Sequence, residues 1–138
     1  MPGVTSHRIA RCTCGALHLR VTGDPLHVHA CSCSECQRYS GSVTSWSARF
    51  PEDAVAITGS YSKHFHCPAR LDRYRGFCPG CGTGKFFSSG AGFPGTIAIT
   101  GGAFADPGFP PPEFLLYWAN CPQWSGVPEG ITLHLQND

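Results

Sequence analysis

RCTCGALHLRVTG, residues 11–23, places two thiols around one residue, turns at a glycine, and then alternates apolar Leu17, Leu19 and Val21 with polar His18 and Arg20. A period of two is the mark of a strand with one face covered and the other wet. The stretch therefore predicts a short strand hung directly behind a cysteine turn. PLHVHACSC, residues 25–33, repeats the arrangement in the opposite order. Leu26, Val28 and Ala30 share one face, His27 and His29 the other, and the strand runs into Cys31 and Cys33.

Working outward, SVTSWSARF (42–50) and AVAITG (54–59) are β-rich runs on either side of the turn signal PED, and are expected to pair. Two further strands fit residues 61–77 around Pro68. TIAIT (96–100) is the one clear strand in the glycine-rich middle, with loops expected around it from 91 to 112. EFLLYWA (113–119) suits a strand or one or two helical turns, and ITLHL (131–135) alternates as a strand. The 17 Gly and 12 Pro are spread along the chain and cut it into short segments. The expectation is a mainly β, small single domain, 1–138, of short antiparallel strands. No βαβ pattern signals a parallel sheet.

Charged residues make up 14% of the chain, its formal net charge is +1, and it holds no Lys/Arg run. Dense phosphate contacts need more than this, so nucleic acid is not the expected partner. No membrane span is available. The opening MPGVTSHRIARC lacks the apolar core of a signal peptide, which points to a cytoplasmic location.

Nine cysteines are the unusual feature. Their number is odd, and CxC and CxxC spacings cluster ligands rather than staple distant parts of a fold, so metal binding is favoured over disulfides. CPGCG (78–82) is the sharpest half-site. Its turn lets two thiolates converge on one ion, and Gly82 can take the positive φ such a turn needs. CTCG (12–15) offers the second pair. Cys12, Cys14, Cys78 and Cys81 would then form a closed tetrahedral site that clips the N-terminal strand to the middle of the chain and stabilises a small core. The triplet Cys31, Cys33 and Cys36 of CSCSEC can bind one ion without further help. Two readings are open on spacing alone: a second structural site completed by Cys67, His29, His64 or His66, or a three-ligand site with an open side for chemistry.

CTCG, then CSCSECQRYSGS, then FCPGCGT resemble, in order and spacing, the glutathione-dependent formaldehyde-activating enzyme family, which also includes centromere protein V. The resemblance covers about residues 8–125. It implies a zinc-bearing fold of the β-tent type, a structural zinc on Cys12, Cys14, Cys78 and Cys81, and a catalytic zinc on Cys31, Cys33 and Cys36. That makes two Zn2+ per chain. Two departures lie beside these motifs: Gln37 stands where the family often has a basic residue, and Gly84 and Lys85 follow CGT.

The function implied is that of a carbon-sulfur lyase, which joins a thiol such as glutathione to a small aldehyde such as formaldehyde, or reverses that step. A three-thiolate site favours a soft sulfur over hard anions, and bound thiols lose their proton at neutral pH. The carboxylates of glutathione call for cations. Arg38 is nearest in sequence and is the expected substrate-binding residue, with Arg49, Lys63, Arg70, Arg73, Arg75 and Lys85 as further candidates. Trp46, Trp118, Trp124, Phe86 and Phe87 are expected in the core, Phe93 on a loop, and Ser40 and Gly41 in the turn after the triplet. The alternative from another class is a non-catalytic zinc module that binds a protein or nucleic-acid partner.

Overall fold

The computed structural model of the chain describes residues 6–126 and 129–135. Part of the opening stretch, residues 1–5, lies outside them. The elements run β1 (His7–Arg11), β2 (His18–Thr22), β3 (His27–Cys31), α1 (Ser34–Ser40), β4 (Ser45–Pro51), β5 (Val55–Thr58), β6 (Ser62–Phe65), β7 (Arg73–Phe77), β8 (Phe86–Ser89), β9 (Thr96–Thr100), β10 (Phe114–Leu116) and β11 (Thr132–Leu133). They form a three-stranded sheet, β1-β2-β5, and an eight-stranded sheet, β11-β10-β3-β4-β9-β8-β7-β6. The mainly β character expected from the sequence is what the chain adopts.

The two sheets enclose the core. Ala10, Leu19 and Val21 come from the small sheet, and Val28, Ala48, Phe50, Phe86, Ile97 and Ile99 from the large one. Each fully buried Leu or Phe among them contributes roughly 2 kcal/mol of apolar burial. Phe86 sets the spacing between β8 and β7, because a Cβ on Gly76 would fall 2.3 Å from its ring. A second cluster of Ala30, Leu115 and Trp118 holds β10 to β3.

Since side chains alternate along strands, the large sheet's other face carries a different set. Register places Cys31 opposite Ser45, His29 opposite Ser47 and His27 opposite Arg49. On the far side, Arg49 pairs with Ala98, Ala98 with Phe87, Phe87 with Arg75, and Ser89 with Arg73. All of these point away from the core. One strand face thus assembles thiol, imidazole, hydroxyl and guanidinium groups in a row.

Several sequence expectations need correction. The runs 42–50 and 54–59 do not pair. The 3-10 turn Glu52–Ala54 diverts the chain, so β4 lies between β3 and β9 while β5 joins β2 in the small sheet. Not every pairing is antiparallel, because β10 runs parallel to both β3 and β11. β1, β8 and α1 were not anticipated. Residues 113–119 supply a strand and then a 3-10 turn, Trp118–Asn120, and the final strand is only Thr132–Leu133. Leu26 and Trp124 are exposed, Trp124 by 80%, so the core keeps only Trp46 and Trp118 of the three tryptophans. Among the described residues no helix is long and apolar enough to cross a membrane.

Candidate functional site

Two cysteine groups converge in space. Cys12, Cys14, Cys78 and Cys81 have their sulfurs within 4.8 Å of one another, and so do Cys31, Cys33 and Cys36. All nine cysteines are free thiols.

The first group joins the turn before β2 to the turn after β7. Cys12 and Cys14 sulfurs are 3.5 Å apart, and Cys14 and Cys78 sulfurs 3.6 Å. Tetrahedral zinc with bonds of about 2.3 Å needs sulfurs about 3.8 Å apart, so the spacing fits. The backbone amide of Leu17 donates to the Cys12 sulfur at 3.2 Å, and the Cys78 and Gly82 backbones close the second turn. Gly84 permits the approach of the two halves. It has φ +72°, and a Cβ there would lie 2.9 Å from the Cβ of Cys12.

Electrostatics also suits a cation at this point. Hydroxyls of Thr13 and Thr83 hold Cys81 down to about 4, whereas Cys14 is pushed up to about 11 by the sulfurs of Cys12, Cys78 and Cys81 against an opposing bond from the Ala16 amide. Packed thiols cannot all ionise by themselves. A divalent ion among them allows every one to be a thiolate.

The second group sits at the end of β3 and the start of α1. Cys33 caps the helix, its sulfur accepting from the backbone amide of Cys36 at 3.3 Å. This cap brings Cys36 back over Cys31 and explains a seven-residue helix in a chain of strands. Gly41, in the left-handed region at φ 68°, ends it. Ser40 bonds Gln37 and Thr44 carbonyls, which bears out its structural part in the turn. Gln37 is structural too, donating to the Ser32 carbonyl at 2.7 Å and the Asn120 carbonyl at 3.0 Å. Neighbouring sulfurs, chiefly Cys31, and burial drive the Cys36 pKa upward, so this group also gains from a cation. Three soft donors suit zinc.

Unlike the first group, the triplet faces a cavity of about 290 Å³. His29, Tyr39, Ser45, Ser47, His66, Arg73, Arg75, Phe87 and Ser89 are among its walls. Among the described residues no fourth His, Cys, Asp or Glu atom lies within 4.8 Å of all three sulfurs. Cys67 and His64 are exposed, and His66 reaches the cavity wall. Among the described residues, three buried polar atoms of wall residues have no hydrogen-bond partner: His29 Nδ1, Tyr39 Oη and Ser47 Oγ. Such atoms are costly to leave unsatisfied, and these three belong to residues that line the cavity. Burial lowers the His29 imidazole to about 4, so it is neutral at physiological pH. Burial likewise raises the Tyr39 phenol, so it keeps its proton.

Arg38 is exposed in the last turn of α1 and does not line the cavity, whereas Arg73 and Arg75 do. Arg75 lies 4.3 Å over the Tyr39 ring and 3.9 Å from Glu35. Phe87, expected in the core, is instead a cavity wall. Tyr39, Ser45 and Ser47 were missed in the sequence. SWSARF does carry the signal, because its Ser45, Ser47 and Arg49 share a face of a strand that is buried on both sides.

A known protein family matches most of the chain. The family model described as "Glutathione-dependent formaldehyde-activating enzyme" matches residues 7–120. A protein of Penicillium rubens is 36% identical over 78 residues, 55% of this chain and 41% of that protein. One of Fusarium vanettenii is 32% identical over 74 residues, 52% of this chain and 40% of that protein. Both bear the name "Putative glutathione-dependent formaldehyde-activating enzyme". The matched stretch thus spans about two fifths of these relatives. With the family match running from β1 to the turn after β10 and enclosing both cysteine groups, the chain belongs to the glutathione-dependent formaldehyde-activating enzyme family.

Proposed function

We propose that the chain catalyses the addition of a thiol of the glutathione class to a small aldehyde such as formaldehyde, and the reverse cleavage, at the cavity beside Cys31, Cys33 and Cys36. One observation carries this reading: three clustered sulfurs open on one side into a polar-walled cavity of about 290 Å³. Cys12, Cys14, Cys78 and Cys81 would hold a structural zinc, and the triplet a second. Zinc held by Cys31, Cys33 and Cys36 would supply a soft Lewis acid that favours the thiolate form of a substrate sulfur.

The protein's own groups do the rest. Arg73 and Arg75 at the rim attract the carboxylates of the thiol and orient it along β7. Phe87 and Tyr74 line the cavity with ring surface. Tyr39 carries its proton at neutral pH and its Oη has no hydrogen-bond partner among the described residues, so it donates to the aldehyde oxygen. As the sulfur lone pair forms the new carbon-sulfur bond, the carbonyl π pair moves to oxygen. That oxygen takes the Tyr39 proton, solvent restores it, and the thiol proton leaves to solvent. The product is a hemithioacetal.

NMR exchange spectroscopy on glutathione and formaldehyde, with and without zinc-loaded protein, tests the activity. Faster exchange between free thiol and adduct is expected. Exchange at the buffer rate, with both metals bound, would reject this substrate pair.

A further inference from the structure

Arg49 is the least explained residue of the large sheet. It is only 2% exposed, and among the described residues no carboxylate lies within ion-pair distance of it. A buried cation without a counterion is costly, and it persists where something repays it. Its partners are two neutral hydroxyls and two rings. Nη1 donates to Thr96 Oγ1 at 2.9 Å and Nη2 to Ser89 Oγ at 3.2 Å, while Phe93 lies 4.1 Å over the guanidinium and Phe87 at 5.7 Å. Nε is buried with no hydrogen-bond partner among the described residues.

The geometry of these contacts is directional. Thr96 fixes one end of the fork and Phe93 fixes its plane. The edge made by Nε and Nη2 is left with a single hydroxyl, that of Ser89, which is itself a wall of the cavity beside the triplet. This edge is the one that receives a carboxylate side-on, in two parallel hydrogen bonds. Ser47, two residues along β4 on the same face, lines the cavity with its hydroxyl unpartnered, and its register partner His29 does so with Nδ1 unpartnered. The row of free polar atoms leads from the sulfurs toward Arg49.

We infer that Arg49, which lies behind the wall residue Ser89, anchors an anion subsite reached from the cavity, where its Nε–Nη2 edge receives a carboxylate of the thiol substrate once the Ser89 hydroxyl turns aside. The inference rests on the thiol reading of the cavity and adds a residue that would bind the thiol. Ser45, opposite Cys31, and Arg49 are four residues apart on β4, about 13 Å at strand rise. A carboxylate held by Arg49 therefore belongs to a part of the thiol remote from its sulfur.

The test uses zinc-loaded protein and S-methylglutathione, which has the carboxylates and no free thiol. The probe is the Nε–Hε NMR signal of Arg49, assigned by its loss in Arg49→Lys. A saturable shift of this signal is expected, with none from the diester of the same compound, and Arg49→Lys should weaken binding roughly 10- to 100-fold because lysine keeps the charge and loses the fork. Binding of S-methylglutathione with equal affinity to both proteins overturns the subsite. A shift caused by acetate or phosphate but not by S-methylglutathione keeps the anion site and rejects the glutathione-class substrate. A signal unmoved by all three anions in the wild-type protein overturns the inference without reference to any variant.

Discussion

The sulfurs of Cys14 and Cys78 lie 3.6 Å apart although 64 residues separate them in the chain. A metal held between them closes that loop, and cross-links over such lengths remove about 4 kcal/mol of denatured-chain entropy. Cys14→Ser or Cys78→Ser should therefore lower Tm steeply, by more than about 3 kcal/mol in stability, and a strong chelator should reproduce the effect in the wild type. Thermal melts with and without chelator check this. Equal melting of variant and wild type would show that the clip carries no stability.

The triplet should behave differently, because it closes no loop longer than its own six residues. Cys36→Ser is expected to lower zinc content from two per chain to one, abolish catalysis, and leave the fold in place. Elemental analysis alongside circular dichroism separates the two cysteine groups.

In the proposed mechanism Tyr39 and Arg75 have different roles. Tyr39→Phe removes the proton donor, so kcat should fall about 100-fold with KM little changed. Arg75→Gln removes a rim cation that acts in binding, so KM for glutathione should rise about tenfold with kcat nearly constant. Steady-state kinetics of both variants distinguish the roles, and the opposite split would exchange them.

His27 reports the buried charge of Arg49. Burial first, then the Arg49 cation, lowers its imidazole pKa, with Glu113 opposing. For a histidine so depressed the unfolded chain takes the proton first, so the stability it contributes is complete above about pH 6.5 and is lost as pH falls toward the folded-state value. Arg49→Met removes the second cause. The His27 titration followed by NMR should move upward toward 6.5, and an unchanged titration would contradict the placement of that charge beside it.

How far these features could be read in advance depends on their range. Leu17, Leu19 and Val21 alternate over a few residues, and all three are fully buried. The two cysteine groups were legible because thiol pairs keep their short spacing in space. Strand partners were not. A turn such as PED does not say whether the chain folds back or crosses to another sheet, and β5 crossed because Val55 and Ile57 pack on the core with the small sheet. The helix α1 was hidden because its cap is a cysteine, a residue type counted as a ligand rather than a helix start. The cavity walls escaped notice for the same reason as strand partners. Arg75 and Phe87 face the triplet only after β7 and β8 have joined the large sheet through β9 and β4. Arg38, near in sequence, is turned to solvent by the last turn of the helix.

The central claim is a metal at Cys31, Cys33 and Cys36 with one side free for a small molecule. A zinc anomalous-difference map from crystals of the zinc-loaded protein measures this most directly. Two peaks per chain are predicted, one about 2.3 Å from each sulfur of Cys12, Cys14, Cys78 and Cys81, the other at that distance from the triplet and from no fourth protein atom. A triplet without a peak, or one whose ion is closed by a side chain of the protein, would contradict the account.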